Sequence, residues 1–299
     1  MYLSGAWEMF ETVLLPTDFS PDSQRILGYV KDIFGVKKVL LLHVVDATRP
    51  SRRGMEHGSR IENAKILLDE TRQVLAKNGI PAEITVDTII DTITQGDIPY
   101  TILEKAEREN ASLIMMGARG KNAIQDILLG SVSANVIRRA KCPVLLMRFP
   151  PDFPAAGEHR HLFSRVLVPV DFSGPSKQAL DLLKAIPGTG HVILLHCIDK
   201  GESEEEIQAA VTAARKNLQP LEQTLRSAGI EAEVRVYVGY PPHEINATAE
   251  RDDVTLILMS PHGEGWSREL RTLFIGSTTN AVIRRAHRPV LITGGPKIQ

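Results

Sequence analysis

The sequence predicts an α/β protein of two tandem domains, each a doubly wound parallel sheet with helices on both faces. An internal repeat predicts the duplication, because Val13–Ser20 (VLLPTDFS) matches Val166–Ser173 (VLVPVDFS) and Leu40–Asp46 (LLLHVVD) matches Ile193–Asp199 (ILLHCID). A repeat this long is no solenoid unit and indicates two copies of one domain. Within each copy, short runs of Val, Ile and Leu alternate with helical patterns, which is typical of parallel βαβ units.

In the first copy, the pattern predicts five strands and four helices. The strands are expected at 11–17, 37–45, 82–89, 112–117 and 143–148, and the helices at 21–34, 58–78, 97–109 and 131–140. The longest helix carries Ile61, Leu68 and Leu75 on one stripe, as a helix packed against a sheet does. Continuous apolar strands such as 39–42 suit a sheet covered on both faces.

The second copy predicts the same order of elements. Its strands are expected at 164–170, 190–198, 231–238, 254–260 and 289–293, and its helices at 175–185, 203–228, 241–251 and 277–286. The acidic run 202–206 is interpreted as a helix start, with Ser203 and Glu206 forming a capping box. Residues 150–162 contain prolines, lack periodicity and are predicted to link a domain at 1–149 to a domain at 163–299.

Composition excludes several classes of protein. The 299 residues are 43% hydrophobic and 24% charged, which favours two globular domains over a disordered chain. A net charge of −1 gives no sign of a nucleic-acid binder. No apolar run is long enough to predict a membrane span, and no signal peptide is evident, so a cytoplasmic location is expected. The cysteines Cys142 and Cys197 form no metal-binding or disulfide pattern and are expected to pack as small apolar residues.

A glycine-bearing segment in the first copy carries the chemistry. The apolar run 113–116 ends at Gly117, Gly120 follows, and Gly130 stands directly before a helix that starts at Ser131. Glycines allow backbone amides to approach a ligand, and a helix N-terminus offers unpaired N–H groups to phosphate. The spacing G-x2-G-x9-G-S matches neither the Walker loop nor the GxGxxG fingerprint.

This spacing resembles that of the universal stress protein family, whose ATP-binding members carry the same glycines. The segments 16–20 (PTDFS) and 42–46 (LHVVD) follow the first and second strands, as they do in that family. The resemblance covers nearly all of the chain. It implies Rossmann-like domains of strand order 3-2-1-4-5, an ATP- or AMP-binding regulatory function in the stress response, and pairing of the last strands into an intramolecular pseudo-dimer, with a homodimer left open.

The strand order implied by the resemblance brings the end of strand 1 opposite the end of strand 4. In the family, the matching acid and the backbone after strand 2 contact adenine, and the glycine loop holds ribose and phosphates. The nucleotide-binding residues expected in the first copy are therefore Pro16, Thr17, Asp18, Val44, Met116, Gly117, Arg119, Gly120, Gly130, Ser131, Val132 and Ser133.

Simpler structural roles stay open for several of these residues. Asp18 and Ser131 suit helix caps, and Arg119 suits a solvated loop. Met115 and Met116 suit strand packing. A half-buried, hydrogen-bonded role is favoured for His43 and for its repeat His196 over contact with a ligand.

The second copy keeps only part of the pattern. Ser260 replaces the first glycine, and the gap before Gly276 is three residues longer than the gap before Gly130. The β-carbon of Ser260 is expected to obstruct close approach to a ribose. A second nucleotide site and a degenerate, structural role both stay open. The residues of this second site would be Val170, Asp171, Ser260, His262, Gly263, Gly276, Ser277 and Thr278.

Two other function classes compete with the nucleotide-binding regulator. One is a slow ATPase or nucleotide hydrolase, against which stands the lack of an evident general base and of catalytic residues in a recognisable pattern. The other is a nucleotide-free scaffold that acts through its surfaces on an unknown protein partner. No metal site is expected from the protein alone, and any Mg²⁺ would be held by phosphates and water.

Overall fold

The computed structural model describes residues 10–46, 57–77, 80, 85–93, 97–119, 129–149, 160–263 and 275–294. The chain forms two compact units, one mainly from Met1–Met147 and the other mainly from Arg160–Gly295. Both contain a parallel sheet with helices following its strands. The α/β class and the duplication predicted from the sequence are confirmed.

In unit 1, the chain alternates between strands and helices. The elements are β1 (Thr12–Pro16), α1 (Pro21–Ile26), a 3₁₀ helix (Leu27–Asp32), β2 (Lys38–Asp46), α2 (His57–Lys77), β3 (Thr85–Ile93), α3 (Ile98–Arg108), β4 (Leu113–Gly117), α4 (Ser131–Arg139) and β5 (Val144–Met147). The strands lie in the order β3-β2-β1-β4-β5 and all pairs are parallel. The order implied by the resemblance is thus observed.

Unit 2 repeats this arrangement. Its elements are β6 (Arg165–Pro169), α5 (Gly174–Ala185), β7 (His191–Ile198), α6 (Glu204–Ser227), β8 (Ala232–Val238), α7 (Pro241–Arg251), β9 (Leu256–Met259), α8 (Ser277–Arg285) and β10 (Val290–Ile292). The strand order within the unit is β8-β7-β6-β9-β10, again parallel throughout.

The core of each unit lies along its central strands. Leu14, Leu40 and Ile114, which are neighbours by register in unit 1, are fully buried. Leu68 and Leu75 of α2 are also buried, so the stripe predicted for this helix does face the sheet, while Ile61 is only partly covered. Burial of aliphatic side chains on this scale is the main stabilising contribution to such sheets.

Two predicted elements differ from the structure. The helix expected over 21–34 is α-helical only to Ile26 and continues as a 3₁₀ helix to Asp32. Gly28 weakens the α-helix there, and the tighter 3₁₀ turn stacks the buried Leu27 and Val30 against the core. The strand expected over 82–89 runs on to Ile93, because β2 offers a partner up to Asp46 and the added residues are mostly β-branched.

Candidate functional site

The strand order of unit 1 reverses between β1 and β4. Leu14 of β1 pairs with Leu40 of β2 on one side and with Ile114 of β4 on the other. The chain leaves β1 toward Asp18 and leaves β4 at Gly117, so both residues lie at the carboxyl edge of the sheet. This is the position at which open α/β sheets bind ligands.

The turn after β1 is ordered by its own side chains. Asp18 Oδ1 accepts a hydrogen bond from the backbone N–H of Ser20 at 3.0 Å, and Ser20 Oγ accepts from the N–H of Ser23 at 3.3 Å. Ser20 is therefore the N-cap of α1, and Asp18 is not. Thr17 lies just beyond the end of β1, and its hydroxyl accepts a hydrogen bond from the N–H of Phe19 at 3.1 Å.

A histidine of β2 supports this turn. His43 Nδ1 lies 2.8 Å from the carbonyl oxygen of Thr17, and the His43 ring lies 4.4 Å from the ring of Phe19, measured between centroids. Phe19 has a backbone φ of 59°, which is unusual for a bulky residue. The half-buried, hydrogen-bonded role predicted for His43 is confirmed. Sequence analysis missed Phe19, although its pairing with a histidine at the same spacing in both copies was a usable signal.

Two hydrogen bonds join the described residues at the end of β4 to those at the start of α4. Ser133 Oγ donates to the carbonyl oxygen of Gly117 at 2.8 Å, and the N–H of Gly130 donates to the carbonyl of Ala118 at 2.8 Å. The N-cap of α4 is Gly130, so the helix has no side-chain cap, and Ser131 is its exposed first residue. Gly120 lies outside the described residues.

The remaining predicted residues of unit 1 occupy mixed positions. Pro16 ends β1, Val44 is half-buried near the end of β2, and Val132 lies in the first turn of α4. Met115 and Met116 are buried in β4, which confirms that they pack in the core. Arg119 is partly exposed and is the last described residue before position 129. The described residues thus bring Asp18, Gly117 and the start of α4 to one edge of one sheet.

Unit 2 contains the same histidine contacts, left-handed phenylalanine and glycine N-cap as unit 1. His196 Nδ1 lies 2.7 Å from the carbonyl of Val170, Phe172 has a φ of 64°, and the two rings are 4.6 Å apart. The N–H of Gly276 donates to the carbonyl of Pro261 at 2.8 Å, as Gly130 does to Ala118. Gly276 is also an N-cap without a side-chain hydrogen bond, and the exposed Ser277 and half-buried Thr278 begin the helix.

The acid and the glycine loop of unit 2 lie in contact. Asp171 Oδ1 accepts hydrogen bonds from the N–H and the Oγ of Ser173, at 3.1 and 2.6 Å. A β-carbon built on Gly263 would stand 2.5 Å from Asp171 Oδ2. The carboxylate therefore lies over backbone that has no side chain. Both partners of this contact are among the described residues.

Ser260 changes the inside of the second loop. Its Oγ donates to the carbonyl of His262 at 2.9 Å, and its own carbonyl accepts from Thr279 Oγ1 at 2.9 Å. Ser260 and His262 are both buried, at 8% and 5% exposure. The serine side chain thus turns into its own loop, where it donates a hydrogen bond to a backbone carbonyl.

Other kinds of site find no support in the described ranges. No cluster of three or more His, Cys, Asp or Glu side chains there is arranged to bind a metal ion. No helix in the same ranges is long and apolar enough to cross a bilayer. Burial raises the pKa of the Cys142 thiol to about 11 and that of the Cys197 thiol to about 12, so neither is an activated nucleophile.

Several known proteins are similar to this chain in sequence and in fold. A universal stress protein of Methanocaldococcus jannaschii is 30% identical over 157 residues, covering 47% of this chain and 96% of the relative. One of Synechocystis is 26% identical over 262 residues, covering 86% of this chain and 79% of the relative. The crystal structure of a universal stress protein from Archaeoglobus fulgidus superposes with a TM-score of 0.70 at 30% identity, covering 96% of this chain and 97% of its own.

The family model reproduces the duplication seen in sequence and structure. The model for the universal stress protein family matches the chain twice, over residues 9–148 and 162–294. Each match contains one sheet with its order reversal and one glycine-capped helix. The chain therefore belongs to the universal stress protein family, as a tandem member.

Proposed function

We propose that unit 1 binds an adenine nucleotide, ATP or AMP, and that the protein is a regulator whose nucleotide occupancy changes what it binds. The observation that carries this proposal is the bare start of α4. Gly130 supplies no acceptor to the first amides of the helix, whereas Ser20 and Asp97 cap α1 and α3 with their side chains. An uncapped helix N-terminus at a strand-order reversal suits a phosphate group.

The base and sugar have matching partners on the other side of the same edge. Asp18 can accept hydrogen bonds from an exocyclic amine or a ribose hydroxyl, and Val44 offers backbone groups at the end of β2. A carboxylate close to the phosphates would repel them, so it is better placed toward the base. The resemblance to ATP-binding family members supports the same orientation.

We assign the nucleotide to unit 1 and a partly degenerate role to unit 2. Asp171 Oδ1 accepts two hydrogen bonds from Ser173, which leaves this oxygen less capacity to bind a ligand. Ser260 also closes the second loop on itself through His262. Both features reduce what the second loop can offer to a ligand, so one nucleotide per chain is expected.

A helix-cap exchange tests the phosphate end of this proposal. In Gly130→Asp, the new carboxylate can cap α4 and compete with phosphate for the same amides. We expect unchanged or slightly higher thermal stability together with at least tenfold weaker ATP binding. The matched control, Gly276→Asp in unit 2, should leave ATP affinity within about twofold of wild type. Equal ATP affinities for wild type and Gly130→Asp would contradict the proposal.

The nucleotide that stays bound through purification identifies the number of phosphates in the ligand. Small molecules released from the purified full chain by acid can be separated by ion-exchange chromatography and identified by mass. An adenine nucleotide at about one per chain supports the proposal. If nothing is released and added ATP, ADP and AMP cause no thermal shift, the scaffold alternative replaces it.

A further inference from the structure

The residue before Asp18 is held from both sides by β2. This residue is Thr17, whose backbone N–H donates to the carbonyl of Leu42 at 2.8 Å. The carbonyl oxygen of Thr17 lies 2.8 Å from Nδ1 of His43, which follows Leu42 in β2. A carbonyl oxygen only accepts, so this imidazole nitrogen carries the proton. Two consecutive residues of β2 therefore bind the peptide groups on both sides of Thr17, the second of which leads into Asp18.

The residue after Asp18 is held by the same imidazole. Phe19 adopts a left-handed backbone conformation, with φ of 59°, that is unfavourable for a bulky side chain. Its ring packs against the ring of His43 at 4.4 Å between centroids, a contact that favours this conformation. His43 thus contacts the residues on both sides of Asp18 while Asp18 itself bonds the N–H of Ser20.

Unit 2 contains the same arrangement around a different loop. His196 contacts the carbonyl of Val170 and the ring of Phe172, on either side of Asp171. Because the same contacts occur in both units, we infer that the histidine helps to orient the acid in each of them. The repetition also supplies an internal control, since only unit 1 is assigned a nucleotide.

We propose that His43 is a positioning residue for the nucleotide site, which orients Asp18 through the Thr17 carbonyl and the Phe19 ring. Its effect on binding rests on the function proposed above. Without the imidazole, the Thr17 carbonyl loses a donor and the left-handed turn loses its ring contact. The Asp18 side chain then adopts several orientations, and the orientation that binds the nucleotide is populated less often.

Two substitutions separate the hydrogen bond from the ring contact. His43→Phe keeps a ring and removes the donor, while His43→Asn keeps an N–H donor near the Nδ1 position and removes the ring. We expect His43→Phe to weaken ATP binding at least tenfold and His43→Asn to recover part of that loss. His196→Phe, the matched control in unit 2, should change ATP affinity less than about twofold. An equal loss in His43→Phe and His196→Phe, or none in either, would overturn the proposal.

A second measurement needs no ligand. Amide hydrogen exchange of Ser20 reports its bond to Asp18, and exchange of Leu14 reports the core of the same unit. In His43→Phe we expect faster exchange at Ser20, by about tenfold or more, with Leu14 unchanged relative to wild type. Unchanged exchange at Ser20, or an equal increase at Leu14, would mean that His43 does not position Asp18. If wild type binds no adenine nucleotide, the proposed function fails, and this exchange result alone decides the role of His43.

Discussion

The carboxylate of Asp171 lies directly over Gly263, so that a β-carbon on this glycine would stand 2.5 Å from Asp171 Oδ2. The other carboxylate oxygen is fixed by two hydrogen bonds from Ser173. The acid that follows the first strand of unit 2 by two residues therefore lies against a backbone position where a side chain would clash. The same pair of positions in unit 1 is Asp18 and Gly120.

Gly263→Ala is expected to destabilise unit 2 by about 1–3 kcal/mol, because the new methyl group forces Asp171 away from Ser173. Urea unfolding of the full chain measures the change. Gly174→Ala is the control, since a β-carbon there has no atom of the described residues within 4 Å. In the double variant Gly263→Ala/Asp171→Ala the two effects should be less than additive. Full additivity would show that the predicted clash does not occur.

Asn246→Leu is expected to raise the free energy of unfolding by about 1–2 kcal/mol. Both amide atoms of Asn246 are buried without a hydrogen-bond partner among the described residues, and the matching residue of α3 is the buried Leu103. The two helices correspond because three buried residues recur in order: Pro99, Ile102 and Ala106 in α3, and Pro242, Ile245 and Ala249 in α7. The reverse change, Leu103→Asn, should destabilise the protein by about 2–4 kcal/mol. A loss of stability in Asn246→Leu would contradict this account of the site.

Ser133→Ala is expected to cost about 1–3 kcal/mol of stability, because the buried Ser133 hydroxyl is the donor to the carbonyl of Gly117. Since this bond ties the end of β4 to the first turn of α4, ATP binding should also weaken. Thr279→Val removes the equivalent bond to Ser260 in unit 2 and is expected to lower stability without affecting ATP affinity. Fluorescence-monitored unfolding and an ATP titration of both variants make the comparison. Equal ATP affinities in wild type and Ser133→Ala would contradict the role given to this bond.

Alkaline pH is expected to destabilise the protein through its two thiols. Burial raises the pKa of Cys142 and Cys197 from 9.0 to about 11 and about 12 in the folded protein. The unfolded chain therefore releases its thiol protons first, and stability falls as pH rises from about 9 to about 12. Urea unfolding at about pH 8 and about pH 10.5 should show a thiol contribution of up to about 4 kcal/mol. A Cys142→Ala/Cys197→Ala variant with the same pH dependence as wild type would contradict this attribution.

Local sequence signals were sufficient for most of the fold. Hydrophobic periodicity predicts the repeated strands and the apolar stripe of α2, because each position that faces the core requires an apolar side chain. Ser203 caps α6 as predicted, accepting from the N–H of Glu206 at 3.2 Å. The Glu206 carboxylate, however, accepts from the N–H of Glu202 rather than from that of Ser203 as in a capping box. Which of two adjacent N–H groups the carboxylate accepts from depends on the backbone conformation just before the helix, and the capping-box motif does not specify that conformation.

The turn after the first strand shows where sequence reasoning ended. Propensity disfavours a left-handed phenylalanine, so Phe19 considered without its histidine partner does not indicate this conformation. That conformation depends on His43, which lies on the next strand and becomes a neighbour only once the sheet has formed. The role of Asn246 was hidden for the same reason, since burial of its amide is set by contacts distant in sequence.

Calorimetric titration of the full chain with ATP tests nucleotide binding in unit 1 most directly. We expect one site per chain in wild type, loss of that site in Asp18→Ala, and an unchanged site in Asp171→Ala. Absence of binding heat in wild type, or loss of the site in Asp171→Ala but not in Asp18→Ala, would contradict the assignment of the nucleotide to the first unit.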